Sequence, residues 1–565
     1  MEEKIGSKWK ALWDWTPINL IECEIMSYDI VIKNGYVIDG SGNPWFKADV
    51  GLLNGRITKI GRISASNAEK VIDAEGMFVT PGFIDIHTHS DLALIINNKA
   101  DSKVRQGVTT EVIGNCGISA APLNRRNMEL HRKHLRPASK YVALTWSTME
   151  DYFEKLESQG IPINVAALVG HGTVRTAVMG FEDRSPTGDE LDEMKSLVEQ
   201  AMINGAFGLS TGLVYPPSCF ATTEEIIELC KVVAKYDGIY STHVRGERET
   251  IVEAVKEAIT IGERAKVPVQ LSHNAPKYGA WSKLKETLKL VEDARKKGID
   301  VTIDNDTQRD WHGMLTSVLP PRMHNLKIDE IIQALKDLSK REEVKREIVE
   351  DKIPGFGPVG LVKHGRWDRI ILFKCEKNKE FIGKSFGEIG KMLKKDPFDA
   401  YIDVLIEEKG DGEVVFKEYI SEDDINTLLK HPWVMISTDS EATASYGIFK
   451  EIASYCPASY GEYPRILEVY VRDRGVLTIE EAIRKMTSFP AQKLGVKDRG
   501  LLREGMYADI VIFNLKEVKD KATGKFPHEY PEGIRYVIVN GVITVAEQEY
   551  TGALSGKVLR HRFSS

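Results

Sequence analysis

Cysteine is sparse and scattered: Cys23, Cys116, Cys219, Cys230, Cys375 and Cys456 are the only six in 565 residues, and no two form a C-x-x-C pair. That spacing excludes a zinc ribbon and a small disulfide framework, and it fits a reducing cytoplasm. Positive charge is not in excess either. With 76 Lys and Arg against 83 Asp and Glu the net charge is -7, which supplies no basic field for nucleic acid. Runs such as Arg125-Arg126 and His131-Arg132-Lys133-His134 therefore read as solvated surface. A secretory leader is not expected either. Residues 1–25 hold three tryptophans but also Lys8, Lys10, Asp14, Glu22 and Glu24, so neither export nor a membrane span is expected. Short-period repeats and low-complexity tracts are absent. Hydrophobic residues at 42% and charged residues at 28% describe an ordinary soluble globular chain.

The length exceeds one ordinary core, although α/β barrels run long as single units. From Asp29 to Thr80, short apolar runs (IVIKNGYVID, ADVGLLNGRITKIG, MFVTPG) are punctuated by Asn-Gly, Asp-Gly and Ser-Gly, the turn chemistry of antiparallel hairpins. A matching block, DIVIFN from Asp509 and YVIVNGVITV from Tyr536, closes the chain. The two ends are thus expected to build one small composite β domain. Between them, FIDIHTH, TTEVIG, INVAALVG, AFGLSTG, IYSTHV, VPVQLSH, DVTID and WVMISTD alternate with helical stretches. Eight strands with helical crossovers match an α/β fold of the (β/α)8 TIM type, whose chemistry sits at the strands' C-terminal ends. The expected divisions are an N-terminal extension (1–27), the first part of the β domain (28–81), the barrel (82–495) with an insertion near 325–428 holding one strand, Arg369 to Phe373, and the second part of the β domain (496–555).

His87 and His89 stand two apart at the end of an apolar strand, so a period of two places both on one face together with Asp85. His243, His273 and Asp439 end three further strands. Five such residues at the mouth of one barrel point to a cation site.

With GNCGIS (114–119) and STGLVYPP (210–217) beside PGFIDIHTHSD (81–91), LVGHGTVR (168–175), STHVRGE (241–247), LSHNAP (271–276), HPWVMISTDS (431–440) and YPRIL (463–467), the chain resembles the amidohydrolase superfamily. Within it, the match is to the N-acyl-D-amino-acid deacylases (D-aminoacylases), from Tyr28 to Thr544. The resemblance implies a zinc-dependent barrel carrying a small composite β-sandwich from both chain ends. It implies Cys116, His243 and His273 as ligands of a tightly held Zn²⁺, and His87, His89 and Asp439 as ligands of a second, weaker site. Asp439 would take a proton from the attacking water and return it to the leaving nitrogen. Tyr215 and His171 would polarise the carbonyl or steady the tetrahedral intermediate. Arg175, Arg245 and Arg465 are candidate carboxylate clamps, with loop-organising salt bridges as the competing role. Many amidohydrolases carry a bridging carboxylated lysine at the fourth strand's end; the run taken for that strand, NVAALVGHG, has none.

Two departures bear on substrate. The family's histidine-lysine after the strand-six ligand is Asn274-Ala275 here, with Lys277, the candidate substrate contact the resemblance implies, two residues late. Its tyrosine-rich segment after strand seven is DVTIDNDTQ. That segment brings Asp304 and Asp306, read first as helix-capping or turn groups; facing the pocket, they would favour a substrate ammonium. The expected activity is deacylation of a small linear amide, with a dipeptidase or aminopeptidase as the alternative and a cyclic amidase, a deaminase or a metal-free scaffold behind it. A small amide or short peptide is the expected partner, and homo-oligomerisation stays open. Three motifs mislead. Ser210 in GLSTG would need an Asp and then a later histidine, and after Asp439 only His528 and His561 follow, both outside the barrel; Gly355–Gly360 (GFGPVG) reads as a turn, and Gly383-Lys384-Ser385 lacks the earlier P-loop glycine.

Overall fold

The computed structural model describes residues 27–135, 137–350, 359–452 and 455–563. The expected N-terminal extension, apart from Ser27, and most of GFGPVG lie outside them. The first strands are β1 (Tyr28–Val37), β2 (Phe46–Leu53), β3 (Arg56–Gly61), β4 (Ala68–Asp73) and β5 (Phe78–Pro81). The barrel follows with β6 (Phe83–Asp85), β7 (Val108–Ile113), β8 (Asn164–Ala167) running on as β9 (Val169–Gly170), β10 (Gly208–Gly212), β11 (Ile239–His243), β12 (Val269–Leu271) and β13 (Val301–Asn305). An excursion carries β14 (Trp311–Met314), β15 (Ile370–Lys374) and β16 (Glu413–Phe416) before β17 (Val434–Ile436) completes the barrel. β18 (Ile510–Phe513), β19 (Ile534–Val539), β20 (Val542–Ala546) and β21 (Glu549–Tyr550) follow.

The terminal strands of both ends join in one nine-stranded sheet, ordered β21-β20-β19-β18-β5-β1-β2-β3 with β4 on β1. Its core mixes Ile30, Ile32, Val50 and Leu52 from one end with Ile510, Ile512 and Ile538 from the other. Two of the three Asn-Gly pairs in these blocks make the predicted turns, whereas Asn34-Gly35 lies inside β1 at a shift in its register with β2. Asn54-Gly55 and Asn540-Gly541 all have positive φ (52°, 75°, 51° and 83°), the backbone of a primed hairpin turn. The two tips meet: a Cβ on Gly55 would stand 2.8 Å from the Asn540 carbonyl oxygen.

The parallel barrel strands pair in sequence order from β6 to β8 and from β9 to β13, with β13 beside β17. Closure is made by the loops that carry chemistry: Asp439 N donates to His87 O (3.1 Å) and His89 N to Ser440 O (3.1 Å). Several surrounding helices start alike. Thr148, Thr187, Thr222 and Thr478 each accept from the backbone N–H three residues on, satisfying a donor that the first turn leaves free. The P-loop-like Ser385 proves to be such a cap too, for the helix Phe386–Leu393.

Two expectations are corrected. The excursion holds three strands rather than one, as an antiparallel sheet ordered β14-β16-β15, and it begins before residue 325; β14 and β16 are four residues each, too short for periodicity to show. The run NVAALVG is the third barrel strand, not the fourth. The fourth is β10, and the segment from Gly208 to Pro217 also has no lysine. Among the described residues no helix is long and apolar enough to cross a membrane.

Candidate metal centre

His87, Cys116, His273 and Asp439 each present a ligand atom, and all four atoms lie within 4.8 Å of one another. They come from the C-terminal ends of β6, β7, β12 and β17. The Cys116 Sγ is the hub. It lies 3.3 Å from His87 Nε2, 3.5 Å from His273 Nε2 and 3.8 Å from His243 Nδ1. Asp439 Oδ1 is 3.0 Å from His89 Nε2 and 3.3 Å from His87 Nε2. Cys116, His273 and Asp439 have φ of 52°, 34° and 46°. This left-handed region is costly for residues other than glycine and tends to be kept where a site over-determines it.

The GNCGIS loop can adopt this path only because its glycines let backbones touch. A Cβ on Gly114, at φ 77°, would stand 2.1 Å from Leu168 O. One on Gly117, at φ 74°, would lie 2.8 Å from Gly212 N. Polar side chains that sequence reasoning did not assign hold the loop. Asp91 accepts from Gly114 N and Ala120 N, both at 3.1 Å, and burial lifts its carboxyl to about 6. Ser210 donates to Gly114 O and accepts from Gly117 N (3.0 Å). The misleading serine motif is thus a brace for the cysteine loop.

Electrostatically the pocket is built for a cation. Burial works against a charged His87, yet Asp304, Cys116 and Asp439 hold its pKa well above the imidazole range. His89 and His243 are likewise held near 9 against the same burial, His89 by Asp439 and Cys116 and His243 by Glu247 and Cys116. Burial raises the Cys116 thiol, but the surrounding histidines bring it well below its ordinary value. The donor set fits zinc. Zn–S near 2.3 Å and Zn–N near 2.0–2.1 Å at tetrahedral angles give S···N edges of about 3.5 Å, close to the three separations around Cys116.

Several expected site residues have other work. His171 is fully buried with both ring nitrogens taken, Nδ1 2.9 Å from Ser218 Oγ and Nε2 2.9 Å from Glu225 Oε1, so it has none left for a carbonyl. Arg175 is buried against both Glu225 oxygens at 2.7 and 2.8 Å. Arg245 binds Glu257 and the Cys219 and Ala221 carbonyls. Both arginines are loop organisers rather than clamps. Arg465 keeps a buried Nε without a partner and lies 3.9 Å from Asp520. Tyr215 packs its ring edge-on to His243 at 5.5 Å and donates to the Cys116 carbonyl (2.7 Å).

Asp304 is neither a cap nor a pocket-lining group. It is fully buried 3.2 Å from His87 Nδ1, accepting from Gln270 Nε2 (2.6 Å), Ser437 Oγ (3.0 Å) and His273 N (3.1 Å). Asp306 does take a turn role, accepting from Gln308 N at 2.7 Å. Replacing Asp304 with alanine leaves three buried donors unpaired. The metal-free variant is expected to lose about 2–4 kcal/mol in urea unfolding, on the cost of orphaned buried groups; a loss below about 1 kcal/mol would sink this supporting role.

A parallel barrel with histidine, thiolate and carboxylate donors gathered at its mouth defines a metal-dependent amide hydrolase. The chain belongs to the Amidohydrolase family, whose model matches residues 70–338 and 397–545. It is 34% identical over 536 residues to the D-aminoacylase of Alcaligenes xylosoxydans xylosoxydans, covering 94% of this chain and 97% of that one. The structure of an N-acyl-D-glutamate deacylase from Bordetella bronchiseptica, complexed with zinc and a phosphonate mimic of the tetrahedral intermediate, superposes with a TM-score of 0.77 at 28% identity, covering 95% of this chain and all of that one. A D-aminoacylase structure described for its binuclear metal centre, with one-metal activation and second-metal attenuation, gives 0.77 at 34% identity over 94% of this chain and all of that one.

Proposed function

We propose that this chain is a zinc-dependent deacylase of N-acyl-D-amino acids. The observation that carries the reading is the convergence of Cys116, His243 and His273 beside His87, His89 and Asp439, in a chain alignable with D-aminoacylase over 94% of its length. In this reading Cys116, His243 and His273 hold the tight zinc, and His87, His89 and Asp439 the weaker second site. Zinc bound there acts as a Lewis acid and lowers the pKa of water. The chain's own groups do the rest. Burial raises the Asp439 carboxyl, but His273, His87 and His89 hold it well below its ordinary range. It is therefore ionised and free to accept the water's proton before passing it to the leaving nitrogen. Tyr215 would donate to the carbonyl oxygen after releasing the Cys116 carbonyl. Arg465 would clamp the substrate carboxylate.

A second reading, hydrolysis of short peptides with a free amino terminus, is favoured by Asp306. Its carboxyl is held near 8 by burial and by the charges of Glu462 and Asp439, and a substrate ammonium would relieve that repulsion. A hydrolysis screen with added zinc decides between them. N-acetyl-D-amino acids are expected to turn over, while their L forms and free dipeptides are not; turnover of dipeptides alone would transfer the assignment to the second reading.

A further inference from the structure

We propose that Glu247 is the positioning residue for both zinc-facing imidazoles of the Cys116 site, and that Lys277 sets how strongly it acts. The inference rests on the reading above that Cys116, His243 and His273 hold a zinc ion. Each histidine turns one nitrogen to the thiolate, and the two use different ones: Nδ1 of His243 and Nε2 of His273. The nitrogens left over converge on a single oxygen. Glu247 Oε1 lies 3.5 Å from His243 Nε2 and 3.9 Å from His273 Nδ1. One carboxylate therefore faces the back of both rings. An imidazole donates its lone pair to a metal from one nitrogen while its proton sits on the other, and a carboxylate behind the ring selects that tautomer and raises its basicity. Because the two rings present opposite nitrogens, a shared carboxylate accounts for both choices at once.

Lys277 competes for the same atom. Its Nζ lies 3.6 Å from Glu247 Oε1 and donates to His273 O at 3.3 Å, and its backbone N–H donates to Glu247 O at 2.9 Å. The ammonium withdraws charge from the carboxylate and so weakens its pull on the imidazoles. In this chain Lys277 belongs to the metal's outer surroundings.

The test uses the full-length protein, stripped of metal and retitrated with zinc against a chromophoric chelator, without substrate. Glu247→Gln removes the charge and is expected to weaken zinc binding on the order of 10–100-fold, the usual effect of losing such a partner. Lys277→Met is expected to do the opposite, tightening zinc several-fold as the carboxylate regains its full charge. The cobalt-loaded Glu247→Gln protein should keep its thiolate-to-metal charge-transfer band, because the metal stays on the Cys116 side. Melting of each metal-free variant is followed alongside, so that a folding defect is read separately. A Glu247→Gln affinity within about threefold of the parent overturns the proposal, as does weakening by both variants, which is how a mere loop prop would behave. Loss of the cobalt band in Glu247→Gln also overturns it, since Glu247 would then be needed for the thiolate bond itself. Failure of the deacylase reading would show instead as no turnover of acylated amino acids by a protein that still binds zinc.

Discussion

Cys116→Ala is expected to strip zinc from the purified protein and to lower kcat/KM by about 10³ or more, with little change in the melting of the metal-free chain. The thiolate is the charged member of the trio it forms with His243 and His273, and without it two neutral imidazoles remain. A metal's contribution to stabilising transition-state charge is several kcal/mol, and about 4 kcal/mol corresponds to a thousandfold in rate. The fold should survive because, although the sulfur contacts His87, His243 and His273, the path of the loop backbone is held by other groups. Asp91 holds Gly114 N and Ala120 N, Ser210 holds Gly117 N and Gly114 O, and Tyr215 holds the Cys116 carbonyl. All of these are backbone anchors. Metal content and kcat/KM measured together check the outcome; unchanged zinc and activity would remove the thiolate from the mechanism.

Asp439→Asn is the second large effect. Asparagine tolerates the left-handed backbone that Asp439 adopts at φ 46°, and the closure bond from its N–H to His87 O is a backbone bond. Its neighbours stay fixed, because Thr438 N and Oγ1 donate to Asp85 and the buried Lys103 binds Asp85, Thr438 and Ser440. What disappears is a carboxylate able to take up a proton. The expected loss in kcat is about 10²–10⁴, the usual worth of a general acid-base group. KM should change far less, because the interaction is made in the transition state. A variant that instead kept kcat and lost affinity for substrate would assign Asp439 to binding.

Much of this was legible in the chain. Eight largely apolar runs ending at or beside histidine, aspartate or glycine correspond to the eight barrel strands, because a parallel strand buried on both faces is mostly apolar along its length. The Asn-Gly turns were readable for a similarly local reason. The errors have physical causes as well. Asp304 and Asp306 are two apart, which on a strand would give them one environment. β13 ends at Asn305, so Asp304 stays in the pleat under His87 while Asp306 leaves it. Arg175 and Arg245 looked like clamps because a guanidinium does not announce its partner; Glu225 and Glu257 lie 50 and 12 residues away.

The sequence by itself determined the architecture, since strand periodicity and turn chemistry are local properties of residues, and it set His87, His89, His243, His273 and Asp439 at strand ends; Cys116 joined them only through the resemblance to the deacylases. Only the tertiary structure decided which groups serve those donors. Asp304 behind His87, Glu247 behind His243 and His273, and Ser210 beneath the cysteine loop meet their partners through packing between strands and loops that no local pattern encodes.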